Sequence, residues 1–338
     1  AWNLVDLQVQ VLPPGPSKLL AACAAPFSGM WRYQQVLEQW LEYHRLLHMD
    51  FFLYDYDGSL QDAVASFQRR DGGSQVFYIS SFAKLIGKEI DYVANARPEE
   101  EHYGGPFFFR DLLEPLANAH CLFKSRGEYD FLLFLHRHDE YFLPSWYPHM
   151  RTSLLPLKVL RGHLATVEVP WFIFGGPTSS ETSFVIEAWQ QRSRRPPLDF
   201  PERFCTSTAL QRSGSPLVVP ENVLEVMSSH WPRGRAGTLH LDAGFQRESP
   251  RVHHYLDLHQ PRSCGVDDDP CDVEDPGTLW ALPKLKKIVS PQQVLVPTWC
   301  FKEVVDPMKA KTLCCQGDLD LGVFQICAHF DLRLCCAK

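Results

Sequence analysis

The chain has 338 residues, 45% of them hydrophobic with 22 Phe and 9 Trp, and a formal net charge of −7. That apolar content supports a substantial core and excludes an intrinsically disordered chain. The length suits one large α/β domain or two ordinary ones, and the acidic balance without any long basic run argues against a nucleic-acid partner.

In chain order, residues 19–26 form a short apolar run ended by Pro26 and read as a first buried strand. Trp31, Val36, Leu37, Trp40, Leu41, His44 and Leu47 recur at helical spacing. Asp50-Phe51-Phe52-Leu53-Tyr54-Asp55 reads as a second strand, closed by the turn signal Asp57-Gly58. A helix is compatible with residues 60–70, and Val76-Phe77-Tyr78-Ile79 is a third strand. Strand–helix–strand alternation predicts a parallel sheet with helices packed on it. Residues 97–106 read as a charged loop, and 110–127 as a helix. Phe131-Leu132-Leu133-Phe134-Leu135 then reads as a strand buried on both faces. After Pro144 the expected pattern is shorter strands and loops: 165–169, 171–176, 217–219 and 252–256 as strands, and 182–192 as a helix. Asp267-Asp268-Asp269-Pro270 marks an acidic linker.

Eight of the 11 Cys lie from Cys264 onward, the others being Cys23, Cys121 and Cys205. This enrichment reads as disulfides in an oxidising compartment, ahead of buried free thiols or a zinc site. No run is long and apolar enough to cross a bilayer, and no signal-peptide pattern is present. The chain therefore reads as soluble as given, and its Ala1-Trp2 start leaves open an anchor on a longer parent.

The buried run at 131–135 stops in His136-Arg137-His138-Asp139-Glu140. Ligands of open α/β sheets bind just beyond the carboxyl ends of such strands, and a carboxylate there can hold a divalent cation against a diphosphate. Several blocks extend this. They are Cys23-Ala24-Ala25-Pro26-Phe27, Leu41-Glu42-Tyr43-His44-Arg45-Leu46-Leu47, Phe52 to Ser59, Asp139 to Pro144, Trp171 to Gly175, and His253-His254-Tyr255. Together they resemble glycosyltransferase family 92, whose members include plant galactan synthases and animal galactosyltransferases. The resemblance covers residues 17–262; residues 263–338 read as a separate Cys-rich extension.

The resemblance implies an α/β, GT-A type fold, a mostly parallel twisted sheet flanked by helices. It implies a UDP-sugar donor, most simply UDP-galactose, a glycan acceptor and a Mn²⁺ ion. It also implies a Golgi lumenal domain on a membrane-anchored parent. Asp139 is the expected metal ligand, with His254 and then His230 as the late imidazole. Glu140 orients the metal ligand or contacts the sugar, and Asp55 and Asp57 contact the nucleotide. For an inverting transfer a carboxylate must take the acceptor proton; Glu181 is chosen ahead of Glu187 and Asp242.

Blander roles stand beside these. Asp139 and Glu140 can cap a turn, Asp55 and Asp57 can be turn formers, and His44 is more often a packing residue. Trp171 and Phe174 fit core or an acceptor wall, and strand alternation allows His253 rather than His254 to face inward. One departure matters: Arg137 stands where the family pattern has the first Asp of its Asp-x-Asp motif, and Leu256 stands where an Arg is expected. Three readings follow: a metal held with help from His136 or His138, a metal-free site in which Arg137 pairs with diphosphate, or a degenerate relative that binds without transfer. A secreted, disulfide-stapled binding protein is the reading from a different class.

Overall fold

The structure, a computed structural model, describes residues 18–27, 34–55, 58–70, 73–80, 82, 106–136, 138–145, 149–175, 184–194, 214–228, 231–243, 249–255 and 271–289. The chain divides into two compact units, Ala1–Leu256 with Arg262–Gln292, and Asp257–Pro261 with Gln293–Lys338. Every described residue belongs to the first. The acidic linker at 267–270, the Cys-rich tail from 293 and all but Pro106 of the loop expected at 97–106 lie outside the described residues; Pro106 begins a helix.

The amino-terminal half follows the expected alternation. Strand β1 (Lys18–Phe27), helix α1 (Gln34–Leu46), β2 (Asp50–Asp55), α2 (Gln61–Arg69) and β3 (Val76–Ile79) come first. Helix α3 (Pro106–Ser125) and β4 (Tyr129–Leu135) follow. Strands β4, β1, β2 and β3 lie side by side, all parallel, with Ala24 of β1 level with Leu53 of β2 and Leu135 of β4. Parallel pairing demands cover on both faces, and the sequence supplies it. Phe51 turns to Trp40 of α1 and Phe67 of α2, while Phe52, Tyr54, Leu132 and Phe134 share a cluster with Ala117, Cys121 and Leu122 of α3. All seven residues of β4 are buried, as the unbroken apolar run requires.

Beyond β4 the sheet becomes mixed. Strands β5 (Glu140–Leu143), β6 (Leu164–Gly175), β7 (Gln191–Arg192), β8 (Gly214–Val218), β11 (Leu239–Asp242), β12 (Arg251–His254) and β13 (Val273–Glu274) complete it, and β9 (Val223–Ser228) pairs with β10 (Trp231–Gly234) as a separate ribbon. Strand β8 runs antiparallel to both β4 and β6, and β7 is antiparallel to β6. The result is a large, curled, partly parallel sheet flanked by helices, rather than a mostly parallel one.

Three local readings are corrected. The strands expected at 165–169 and 171–176 are one strand, β6; Pro170, which lacks an N–H, falls where β6 changes partner, from β8 to β12 and β7. Helix α4 (Met150–Val159) replaces loop, its buried residues Met150 and Leu154 standing four apart. The helix expected over 182–192 is a single turn, α5 (Val185–Ala188), because Trp189 is extended and the chain enters β7. Residues 271–289, beyond the boundary expected at 262, carry β13, a short 3₁₀ turn and helix α6 (Leu282–Ile288) and pack within the larger unit. Among the described residues no helix is long and apolar enough to cross a membrane.

Cys23 of β1 and Cys121 of α3 form a disulfide across 98 residues of sequence. Closing a loop of that length removes about 5 kcal/mol of unfolded-chain entropy in the simplest treatment. The double substitution Cys23→Ala and Cys121→Ala is expected to lower unfolding free energy by about 2–5 kcal/mol in urea titrations. Equal midpoints for the oxidised and substituted chains would count against a tether here.

Candidate metal centre

Asp139, Glu140 and His254 are each at least nine-tenths buried, and each offers a ligand atom within 4.8 Å of the others. Two strands bring them together. Asp139 ends the turn after β4, and Glu140 opens β5. Strand β12 runs antiparallel to β5 with His254 directly opposite Glu140, and the Tyr255 N–H donates to the Asp139 carbonyl at 3.0 Å. Cross-strand partners stand about 5 Å apart, so the register alone places the imidazole at the carboxylates.

Side-chain bonding is incomplete. Glu140 Oε2 accepts the His136 N–H at 2.8 Å. Among the described residues, Glu140 Oε1 and both ring nitrogens of His254 have no hydrogen-bond partner; His254 Nε2 stands 3.5 Å from Asp139 Oδ1. Buried polar atoms are ordinarily paired. Two carboxylates and an imidazole converging, with one Glu140 oxygen and the His254 nitrogens unbonded among the described residues, fit a divalent cation. Burial, first of all, pushes the Glu140 carboxyl up to about 8; the negative charges of Asp139 and Glu114 act the same way, opposed by His254 and the His136 N–H.

One neighbour, Glu114, escaped the sequence reading, which named His136 as a helper at the metal and Trp171 as core or an acceptor wall. His136 Nδ1 donates to Glu114 of α3, a carboxylate 22 positions away with no local signal. Trp171 of β6 lies edge-on to both His136 and His254, with ring centres 5.2 and 5.0 Å away, and its indole N–H donates to Ser215 Oγ at 2.7 Å. It walls the metal group and is only partly buried.

The alternation within β12 separates its two histidines. His254 joins the metal group, whereas His253 stacks on Phe174 at 4.2 Å and accepts from Arg251 Nε at 3.2 Å. On that side Asp275 accepts from Arg251 Nη2 at 2.7 Å, from Arg192 Nε at 2.9 Å and from the Gly277 N–H at 3.1 Å. Burial drives the His253 imidazole down to about 3, so it is neutral near pH 7.

Other predicted residues fall elsewhere. Asp55 sits at the same carboxyl edge as Asp139, because Leu53, Ala24 and Leu135 are level. It is buried and accepts from the Gly58 N–H at 2.8 Å, the Leu60 N–H at 3.0 Å and the Tyr78 hydroxyl at 2.5 Å. That bonding fits a turn-forming role, with Gly58 at φ 85°. His44 is buried and bonded at both nitrogens, as a packing residue should be. Glu187 pairs with Lys286 at 2.8 Å, and His138 is half-buried, edge-on to Phe27. Asp242 closes β11 opposite Glu168. Asp57, Arg137, Glu181 and His230 lie outside the described residues. A cavity of about 500 Å³ between Phe67, Arg70, Gln75 and Phe77 lies at the amino edge of β3, away from the metal group.

No protein-family model matches the chain, and no curated protein matches it either.

Glu140 sets a pH dependence. Its folded value lies above the ordinary 4.5, so the folded state keeps a proton the unfolded state has lost. Metal-free stability should therefore fall as pH rises from about 4.5 to 8, at up to about 1.4 kcal/mol per pH unit, and Glu140→Gln should remove that slope in thermal melts with chelator. Asp275→Ala should destabilise by about 3–5 kcal/mol, because two buried guanidinium groups lose their counter-charge; a loss under 1 kcal/mol in urea titration would contradict the buried triad.

Proposed function

We propose that this protein is a metal-dependent glycosyltransferase of GT-A type that moves a hexose, galactose from UDP-galactose, onto a glycan acceptor with inversion. The observation that carries this reading is the buried Asp139–Glu140–His254 group at the carboxyl edge of the sheet. The motif blocks that resemble glycosyltransferase family 92 support it, as does the position of Asp139 and Glu140 just beyond a fully buried strand. Breaking a sugar–phosphate bond leaves a diphosphate gaining negative charge. A divalent cation, Mn²⁺ in this reading, held by Asp139, Glu140 and His254, would supply the opposing charge.

The chain's own residues do the rest. Burial keeps water from the carboxylates and strengthens each charge interaction. The His136 N–H fixes one Glu140 oxygen and leaves the other for the cation. Trp171 gives the group a rigid apolar wall. Glu181, a few residues past the end of β6, is our reading for the base that takes the acceptor proton. The disulfide supports a secretory setting, a Golgi lumenal domain of a membrane-anchored parent.

A second reading follows from Arg137, a cation where the family pattern has a carboxylate: a degenerate relative that binds nucleotide or glycan without transfer. The two separate in one experiment. Mn²⁺ with UDP at 100 times its dissociation constant should add about 2.7 kcal/mol of stability, and UDP-galactose should be consumed with an acceptor glycan. Asp139→Asn and His254→Ala should each cut Mn²⁺ affinity and transfer by about 100-fold or more, since losing a group that merely supports a ligand already costs about 10–100-fold. UDP binding with no transfer across a broad acceptor panel would select the degenerate reading. Neither binding nor transfer would end the transferase assignment.

A further inference from the structure

Strand β5 carries Glu140, yet among the described residues its only strand neighbour is β12. Its other edge faces helix α1, and there side chains take the place of a strand. Trp40 Nε1 donates to the Glu140 carbonyl at 2.6 Å. The Tyr43 hydroxyl donates to the Phe142 carbonyl at 3.0 Å, and His44 Nε2 accepts the Phe142 N–H at 3.1 Å. His44 Nδ1 donates to the Trp40 carbonyl at 2.8 Å, which fixes the tautomer that leaves Nε2 as an acceptor. All three side chains are fully buried.

We propose that Trp40, Tyr43 and His44 are positioning residues for the metal group, a helix-borne clamp that fixes the path of β5 and thereby the placement of Glu140 and Asp139. The proposal rests on the metal-centre reading above. It explains why three long polar-tipped side chains of one helix all end on a single four-residue strand: each satisfies a buried backbone group of Glu140 or Phe142 that no strand among the described residues reaches. A buried backbone group left unpaired there would destabilise a strand this short. The backbone of Glu140 is thus held on one side by Trp40, while its side chain is aimed by His136 and faces His254 across the ladder.

The test is Co²⁺ titration of the full chain, read by visible absorption, beside thermal melts. Tyr43→Phe, which deletes a single oxygen, and His44→Leu should weaken Co²⁺ binding by about 10-fold or more and alter the absorption bands. His44→Gln, which keeps an acceptor for the Phe142 N–H, should restore both. Leu37→Ala, on the same helix and equally buried but with an aliphatic side chain, should lower the melting temperature and leave Co²⁺ affinity unchanged. Wild-type affinity and spectrum in Tyr43→Phe and His44→Leu overturn the clamp while the metal reading stands. An equal affinity loss in Leu37→Ala also overturns it, because loosening anywhere in α1 would then suffice. A wild-type chain that takes up no Co²⁺ overturns the metal reading itself, and the clamp with it.

Discussion

The hydrogen bonds between helix α1 and the backbone of β5 are the constraint on which the remaining geometry depends. A buried strand edge must find donors and acceptors, and a helix normally has none to spare because its backbone bonds to itself. Helix α1 solves this with side chains whose polar tips extend beyond its own cylinder. The same helix packs Trp40 on Phe51 of β2, pairs Glu42 with Arg70 after α2, and brings Tyr43 within 5.7 Å of Trp280 near the carboxyl end of the unit. It therefore ties the parallel half of the sheet to the mixed half. Neutral His44 is central: burial holds its imidazole down to about 3, so its accepting nitrogen persists across the physiological range.

Strand β12 shows how a single element keeps two incompatible environments apart. Arg251 and His253 point one way into a bonded charge cluster around Asp275, whose carboxyl lies low, at about 2, with burial opposed by His253, Arg251 and Arg192. Val252 and His254 point the other way. The bonded side fits a structural role, since its charges are paired with one another. On the other side, Glu140 Oε1 and the ring nitrogens of His254 have no hydrogen-bond partner among the described residues. Burial alone does not mark a functional site; both faces are buried. What differs is whether the polar groups are satisfied.

Much of this was legible in the chain because the signal was local. The apolar run at 131–135, the helical spacing from Val36 to Leu47 and the Asp50–Asp55 strand each carry their own periodicity, and the structure keeps all three. Asp139 and His254, which the structure brings together, could be picked out for a similar reason: an acidic pair after a buried strand and a late histidine pair are visible as strings. Glu140 was read as an orienting or sugar-contacting group, and the structure places it among the potential ligands. What lay hidden was set by pairing over long distances. Nothing near Glu114 announces His136, and nothing near Asp275 announces Arg251. Strand β5 is four residues long with charged neighbours, too short for its alternation to show, and Pro170 imitates a break where β6 only exchanges partners.

In the proposed reading Arg137 stands where a first carboxylate is expected, and the geometry around Asp139 bears on that proposal. Successive residues of a strand face opposite sides, so in a regular strand Asp139 and Glu140 could not serve one point, and a carboxylate two positions earlier would be the natural partner for Asp139. Here the chain turns at 138–139 before β5 begins. That change of direction lets two consecutive acids converge on His254, which the register of β12 brings opposite Glu140. In the proposed reading Glu140 would then serve as the third ligand, with β5 held where α1 holds it.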